Sequence, residues 1–359
     1  MRILHIAETV KGGVATYLEL IDGNVPHEHY YLIPASQENE IDVDRKKLIA
    51  FPGTSRPQRI AGLFQALARL EGKQSYDIVH LHSSFAGYVL ILQKLLSFKF
   101  PAIIFCAHGW SFQRQVSTLE RTICKAVDYI TGRLSTGVIH ISKTEQAAAN
   151  FIPCDLQRSI YNPISDDYLA PLKKTHRAHS IKKILFVGRL DRQKGFDILY
   201  EAFKSKELQE FHLYVAGDSV LCDSDYKPTA NVTFLGWQTR EALLAVYDDA
   251  DLTIVPSRWE GFGFVAIESL ARGTPVLASH AGSLPEILGM YGQVADMTTA
   301  DAIIKSITQY RTSTTETPPR LQEYIREKYS SSRFSAEILE FYQEAVAKEK
   351  SKKLPLSCT

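Results

Sequence analysis

Short, uninterrupted apolar runs alternate along this chain with stretches in which apolar residues return every three or four positions. Uninterrupted runs suit strands buried on both faces, and the periodic stretches suit helices laid over them. The alternation therefore predicts parallel sheets covered by helices, an α/β fold. In the first half the predicted strands lie at 3–7, 30–33, 78–82, 102–107 and 137–141, with helices over 57–70 and 118–134. The rhythm breaks near Asn162-Pro163, and 171–183 is polar and basic, with Lys173, Lys174, Arg177, Lys182 and Lys183. It resumes with strands at 183–187, 211–216, 232–235, 252–255 and 275–278, and helices over 196–203, 240–247, 265–271 and 300–310. A last helix is predicted over 335–349.

The break defines a domain at 1–170, a linker at 171–182 and a second domain at 183–334. The 359 residues suffice for two domains at about 150 residues each. Two doubly wound domains facing across a cleft are expected. In such sheets ligands bind beyond the carboxyl ends of the strands, so chemistry is sought in the loops there. Hydrophobic residues at 45% and charged residues at 23% exclude a disordered or fibrous chain. Lys+Arg 41 against Asp+Glu 40 leaves a net charge of +1, so a nucleic-acid partner is not expected. Cys106, Cys124, Cys154, Cys222 and Cys358 form no Cys-x-x-Cys pair, which argues against a disulfide scaffold and for a reducing compartment. The run at 3–7 is too short for a signal segment. The run at 85–92, cut by Gln93-Lys94, falls short of the ~20 residues of a membrane span. A soluble or peripheral protein is expected.

The most informative segment follows the strand at 252–255. Pro256 ends ladder pairing there, and Gly261 and Gly263 permit a tight turn before a helix opens near Phe264. Free amides and a positive dipole end at such a helix start suit a phosphate. Glu260 precedes the helix and Glu268 lies about a turn inside it, so the two carboxylates can address different parts of one elongated ligand. Either glutamate alone would read as a solvated residue. A second segment, Gly188-Arg189-Leu190-Asp191-Arg192-Gln193-Lys194-Gly195, also lies between a strand and a helix. Arg189 could fork across two phosphate oxygens and Lys194 could act as a point charge, although the pair alone would read as surface charge. The spacing excludes a Walker A loop.

The block from Glu260 to Glu268, in its Glu-Gly-Phe-Gly frame, resembles the signature of retaining glycosyltransferases of family 4, which adopt the two-domain GT-B fold. The Gly188–Gly195 block matches the same family. So do Lys11-Gly12-Gly13 after the first strand, His108-Gly109 after the strand at 102–107, and Ile141-Ser142-Lys143 with Asn162-Pro163. The resemblance covers nearly the whole chain. It departs at Ala216-Gly217-Asp218-Ser219, which lacks a second glycine, and at Phe264, where leucine or proline is commoner. It implies a metal-independent transferase taking a nucleotide diphosphate sugar as co-substrate, a UDP-sugar before GDP-mannose, with no other cofactor. Arg189, Lys194 and the amides of Phe262, Gly263, Phe264 and Val265 would hold the leaving diphosphate, approached by Gly12, Gly13, Gly188 and Gly261. Glu268 would hold the ribose, Glu260 the sugar hydroxyls, and His108 the sugar near its reacting centre. It further implies a front-face substitution and a C-terminal helix, 335–359, that returns to the first domain.

His80 and His82 share a strand face and could ligate a metal; the cleft-lining or core reading is preferred. Asp42-Val43-Asp44 and Asp223-Ser224-Asp225 read as loops rather than metal-binding triplets. Leu92, Lys94, Leu95, Leu96, Phe98 and Lys99, with Arg114, Arg121, Lys125 and Arg133, mix apolar and basic residues as an anionic membrane surface would require. A glycan or lipid-linked acceptor at the cytoplasmic face, in polysaccharide biosynthesis, is implied by the resemblance. The alternatives are a non-catalytic nucleotide-sugar-binding scaffold and an epimerase of the same fold.

Overall fold

The computed structural model describes residues 1–70, 75–84, 87, 90, 102–114, 116–171, 181–218, 226–310 and 319–353. The segment 91–100, the triplet at 223–225, and Lys173, Lys174, Arg177, Ser219, Cys222 and Cys358 lie outside them. The chain divides into two compact units, Met1–Pro163 with Ser331–Thr359, and Ile164–Ser330.

The first unit is a parallel sheet in the order β3-β2-β1-β4-β5-β6-β7. Its strands are β1 (Arg2–Ala7), β2 (Glu28–Pro34), β3 (Leu48–Phe51), β4 (Ile78–His82), β5 (Ala102–Cys106), β6 (Gly137–His140) and β7 (Gln157–Ser159). The middle strands β4, β5 and β6 are buried along their whole length, which is why they read as plain apolar runs. Their core gathers Leu4, Ile6, Phe51, Val79, Leu81, Phe105, Trp110 and Val138. The final helix, Ser331–Lys353, packs in this unit. Ser335 donates to the Asn24 carbonyl, Tyr342 meets His80 at 2.9 Å, and Arg158 pairs with Glu340 and Glu344.

The second unit is a parallel sheet in the order β10-β9-β8-β11-β12-β13. Its strands are β8 (Lys183–Val187), β9 (His212–Ala216), β10 (Val232–Gly236), β11 (Leu252–Val255), β12 (Val276–Ala278) and β13 (Gln293–Val294). The division between units falls at Pro163, ahead of the expected linker at 171–182. The stretch 164–170 is tied to the second unit by hydrogen bonds that spacing cannot show. Ile164 N–H donates to the Tyr329 carbonyl at 2.9 Å, and the buried Arg272 guanidinium reaches the Ala170 carbonyl at 3.0 Å while forking onto Asp248. The last helix likewise starts at Ser331, earlier than Ser335. Among the described residues, no helix is long and apolar enough to cross a membrane.

Candidate active site

In the second unit the loops after β8 and β11 are zipped together. Arg258 grips Asp197 through both terminal guanidinium nitrogens at 2.6 and 2.7 Å, and its backbone N–H donates to the Gln193 carbonyl at 2.8 Å. Burial alone would raise the Asp197 carboxyl; the guanidinium outweighs it and holds that group below its ordinary value. The zip brings Lys194 Nζ to 2.6 Å from Glu260 Oε2, which also accepts from Ser257 at 3.3 Å. Arg189, on the same loop as Lys194, is held by Gln193 at 2.7 Å and Asp191 at 3.1 Å. Gly188 and Gly217 both take positive φ, and a Cβ on Gly217 would collide with the Gly188 carbonyl. The departure from the family pattern at 216–219 thus keeps the one glycine that close approach demands.

The Glu260 loop is fastened from behind by residues that spacing alone did not single out. Ser283 Oγ lies within donor distance of the Gly261 and Phe262 carbonyls, at 2.8 and 2.7 Å. Gly282 passes so close to the Glu260 carbonyl that any Cβ would clash. Their signal is the Gly282-Ser283 turn after β12, directly before Leu284-Pro285. The helix Phe264–Ala271 then starts at Gly263 with φ +95° and no side chain capping it. By contrast, Ser117, Ser142, Thr239 and Thr299 each cap a helix by accepting an N–H. An uncapped start leaves its first amides to a ligand or water. Inside that helix Glu268 accepts from Tyr247 at 2.9 Å. Burial pushes its carboxyl up to about 7, against the pull of the Tyr247 hydroxyl and the Arg240 and Lys194 charges.

The first unit holds the remaining expected residues, on two loops. Gly12, φ +64°, opens the helix Gly13–Asn24, again without a side-chain cap. The approach to it is braced by Arg59, paired with Glu8 at 3.1 Å, and by Gln37, which accepts from the Val10 N–H at 2.8 Å. His108 follows β5 with φ +54°, an unusual value for a residue with a side chain. Its turn is clamped by Glu145, whose two oxygens accept from the Gly109 and Ile141 amides at 2.6 Å each. Both ring nitrogens of His108 face protein groups, His82 at 2.8 Å and Cys106 at 3.8 Å. Burial drives the imidazole down to about 3, so it is neutral.

His5, His80 and His82 bring ring nitrogens within 4.8 Å of one another. His5 was not singled out beforehand, because it lies on a different strand; the parallel register of β1 and β4 sets it opposite His80. Asp44 of the first Asp-x-Asp triplet caps a short turn by accepting from the Lys46 N–H at 2.9 Å.

The chain aligns with known families over both units. Residues 172–328 match the family described as Glycosyl transferases group 1, and residues 23–168 match Glycosyltransferase Family 4. An uncharacterized 41.2 kDa protein of the cps region of Klebsiella pneumoniae is 31% identical over 320 residues, 85% of this chain and 88% of that one. A glycosyltransferase of Methanocaldococcus jannaschii is 32% identical over 238 residues, covering 60% of this chain and 61% of that protein. Among solved structures, sucrose-phosphate synthase of Thermosynechococcus elongatus matches with a TM-score of 0.79 at 20% identity, over 96% of this chain and 99% of that one. Anabaena HepE, solved with UDP and glucose, matches with 0.73 at 18% identity, over 96% and 99%. At such identities these two bear on the fold alone. Taken with the family matches, they make the chain a member of glycosyltransferase family 4, group 1 type: a transferase enzyme with the GT-B fold.

Proposed function

We propose that this enzyme retains anomeric configuration while moving a sugar from a nucleoside diphosphate to a hydroxyl of a glycan or lipid-linked glycan. The carrying observation is the Lys194–Glu260 pair that joins two zipped loops, with Arg189 on the first of them, beside a helix start that no side chain caps. A diphosphate there meets one guanidinium, one ammonium and the amides near Phe262–Val265. As the bond from sugar carbon to phosphate oxygen breaks, negative charge grows on the leaving group and these donors stabilise it, each by about 3 kcal/mol. That cationic set takes the role a divalent ion plays elsewhere, so the step needs no metal. The acceptor oxygen forms its new bond on the face the phosphate leaves, and its proton passes to a phosphate oxygen. Glu268, seated on Tyr247, accepts from ribose hydroxyls. Glu260 accepts from sugar hydroxyls, and His108 stands beside the sugar.

A UDP-sugar is the preferred donor. HepE has been solved with UDP and with UDP-glucose, and another structural relative is a lipopolysaccharide outer core galactosyltransferase. Those names, with the relative from a cps region, support a role in polysaccharide biosynthesis. The helix Thr118–Leu134 supports peripheral contact with an anionic membrane, because it turns Leu119, Ile123 and Ile130 outward with the exposed Arg133 beside that face.

The test is a thermal-shift titration with UDP, GDP, ADP and their sugar conjugates, followed by turnover in EDTA. A ligand at a hundred times its Kd adds about 2.7 kcal/mol to the folded state. One base should stabilise the protein, the shift should vanish in Arg189→Ala, and turnover should survive EDTA with the anomeric configuration retained. Nucleotide-sugar binding without transfer across a broad acceptor panel would favour the scaffold alternative, no response to any nucleotide would refute the donor site, and loss of turnover in EDTA would refute the metal-free step.

A further inference from the structure

Four imidazoles of the first unit form one hydrogen-bonded chain. His29 Nε2 lies 2.9 Å from the Val25 carbonyl, and His29 Nδ1 lies 2.9 Å from His5 Nε2. His5 Nδ1 lies 2.9 Å from His82 Nε2, and His82 Nδ1 lies 2.8 Å from His108 Nε2. At the far end His108 Nδ1 meets Cys106 Sγ at 3.8 Å. His5, His29 and His82 are buried, and burial lowers the proton affinity of every ring in the chain, reinforced at His5 and His82 by neighbouring imidazoles. Each ring is therefore neutral, with one N–H and one lone pair.

The direction of the chain follows from its first link. A carbonyl only accepts, so His29 Nε2 carries the hydrogen and His29 Nδ1 is a lone pair. His5 must then donate through Nε2, which makes His5 Nδ1 an acceptor. The same logic puts the hydrogen on Nε2 of His82 and of His108. One backbone carbonyl on the loop after the helix Gly13–Asn24 thus selects the tautomer of a ring four residues along the relay. The rings cannot easily turn to escape it. Tyr31 stacks on His5 with centroids 5.1 Å apart, Tyr17 packs edge-on to His108 at 4.5 Å, and the Glu145 clamp fixes the turn.

We propose that His29, His5 and His82 are positioning residues that hold His108 as its Nε2–H tautomer, so that the Nδ1 lone pair is what His108 offers to a hydroxyl of the donor sugar. The inference rests on the reading that His108 stands beside that sugar. Nε2 is spent on His82, whereas the Nδ1 contact to the Cys106 sulfur is the longest of the chain and the thiol is a weak donor. A sugar hydroxyl is the better partner, and His108 recognises it by accepting its hydrogen. A cation among His5, His80 and His82 would compete with this arrangement, because both nitrogens of His5 and of His82 are already used.

The test combines imidazole nitrogen NMR with two substitutions at His29, the first ring of the relay. In the wild type, His108 should appear as the neutral Nε2–H form near pH 7. His29→Gln keeps an acceptor for His5 and a donor for Val25, so the tautomer and kcat should stay as in the wild type. His29→Leu removes the acceptor. It should mix the tautomers at His108 and lower kcat by about tenfold, as losing a partner that orients a functional imidazole does elsewhere. A wild-type spectrum with the hydrogen on His108 Nδ1 would overturn the proposal, whatever the variants do. So would a kcat unchanged in a folded His29→Leu, or zinc bound stoichiometrically at His5 and His82. His108→Ala is the separate control: full turnover there would refute the placement of His108 beside the sugar rather than the direction of the relay.

Discussion

Lys194 Nζ donates to Glu260 Oε2 at 2.6 Å, joining the loop after β8 to the loop after β11. The pair is the inner rung of the zip whose outer rung is Arg258 on Asp197. Removing the ammonium takes away the proposed phosphate partner and the counter-charge of Glu260, which is only 10% exposed. Lys194→Ala should lower kcat by about a hundredfold or more, the usual cost of losing one preorganised donor at a developing charge. Circular dichroism should show an unchanged fold, because the Arg258–Asp197 grip remains. Near-normal turnover would remove Lys194 from the diphosphate.

The two glutamates should separate in binding. Glu260→Gln keeps the side-chain shape but halves its accepting capacity. It should weaken a nucleoside diphosphate sugar by about 1–2 kcal/mol, roughly five- to thirtyfold, and leave the bare diphosphate unchanged. Glu268→Gln should weaken both ligands alike. Calorimetry with the diphosphate and with its sugar conjugate decides this, and equal effects from the two substitutions would overturn the division of roles between the two glutamates.

Glu268 also makes a pH prediction. Burial raises its carboxyl to about 7, above the ordinary value of 4.5. A raised folded value means its stabilising contribution is complete below 4.5 and is lost as pH climbs through about 7. Urea denaturation should therefore show Glu268→Gln gaining stability relative to the wild type between pH 5 and pH 8. Ligand binding should run the other way. Ribose hydroxyls are donors that favour the carboxylate, so wild-type affinity for the nucleoside diphosphate should rise from pH 6 to pH 8 and level off, while the Gln variant stays flat.

The sheets were legible wherever a strand is buried on both faces. The expected strands at 78–82, 183–187 and 252–255 agree with β4, β8 and β11 residue for residue. The strands that escaped notice are β3, β7 and β13. Each lies at a sheet edge, and β7 and β13 carry polar residues such as Gln157, Arg158 and Gln293, because an edge strand need not be apolar on both faces. The second-unit site was legible because Glu260 and Glu268 share one segment, as do Arg189 and Lys194. Glu145, Ser283 and the His29–His5–His82 relay were not. Their partners come from other strands and loops, and only the parallel register and the turns after the strands bring them together.

Glu145 carries a prediction of its own. Its carboxyl is raised to about 7 by burial, against the pull of the Ile141 and Gly109 amides, and its backbone carbonyl accepts from Trp110. Glu145→Ala strands the two amides in a buried place, at about 1–3 kcal/mol each. The protein should lose several kcal/mol of stability in urea, with Trp110 emission changing first, and turnover should fall because the His108 turn is no longer fixed. Glu145→Gln, which keeps one acceptor oxygen, should lie between. A Glu145→Ala protein as stable as the wild type would mean the clamp adds nothing.

The helix Thr118–Leu134 is built inside out, and that is the basis for the membrane prediction. It turns Asp128, Thr131 and Gly132 inward, while Leu119 is 71% exposed, Ile123 52% and Ile130 43%. These three recur along one helical face, and the exposed Arg133, three residues after Ile130, lies beside it. Apolar residues beside a cation fit an anionic lipid surface better than they fit water, since partial burial of each in the headgroup region recovers a share of the ~1.5–3 kcal/mol its full burial would give. Flotation with anionic and with zwitterionic vesicles should show binding only to the former, weakened by salt. Changing Leu119, Ile123 and Ile130 together to serine should reduce that binding at least about tenfold, and Arg133→Glu should weaken it at least about fivefold, at about 1 kcal/mol for the charge removed. Turnover on a soluble acceptor analogue should be untouched in both variants, because neither alters the loops that carry His108, Arg189 or Glu260. Vesicle binding that ignores both sets of substitutions would move the membrane contact away from this helix.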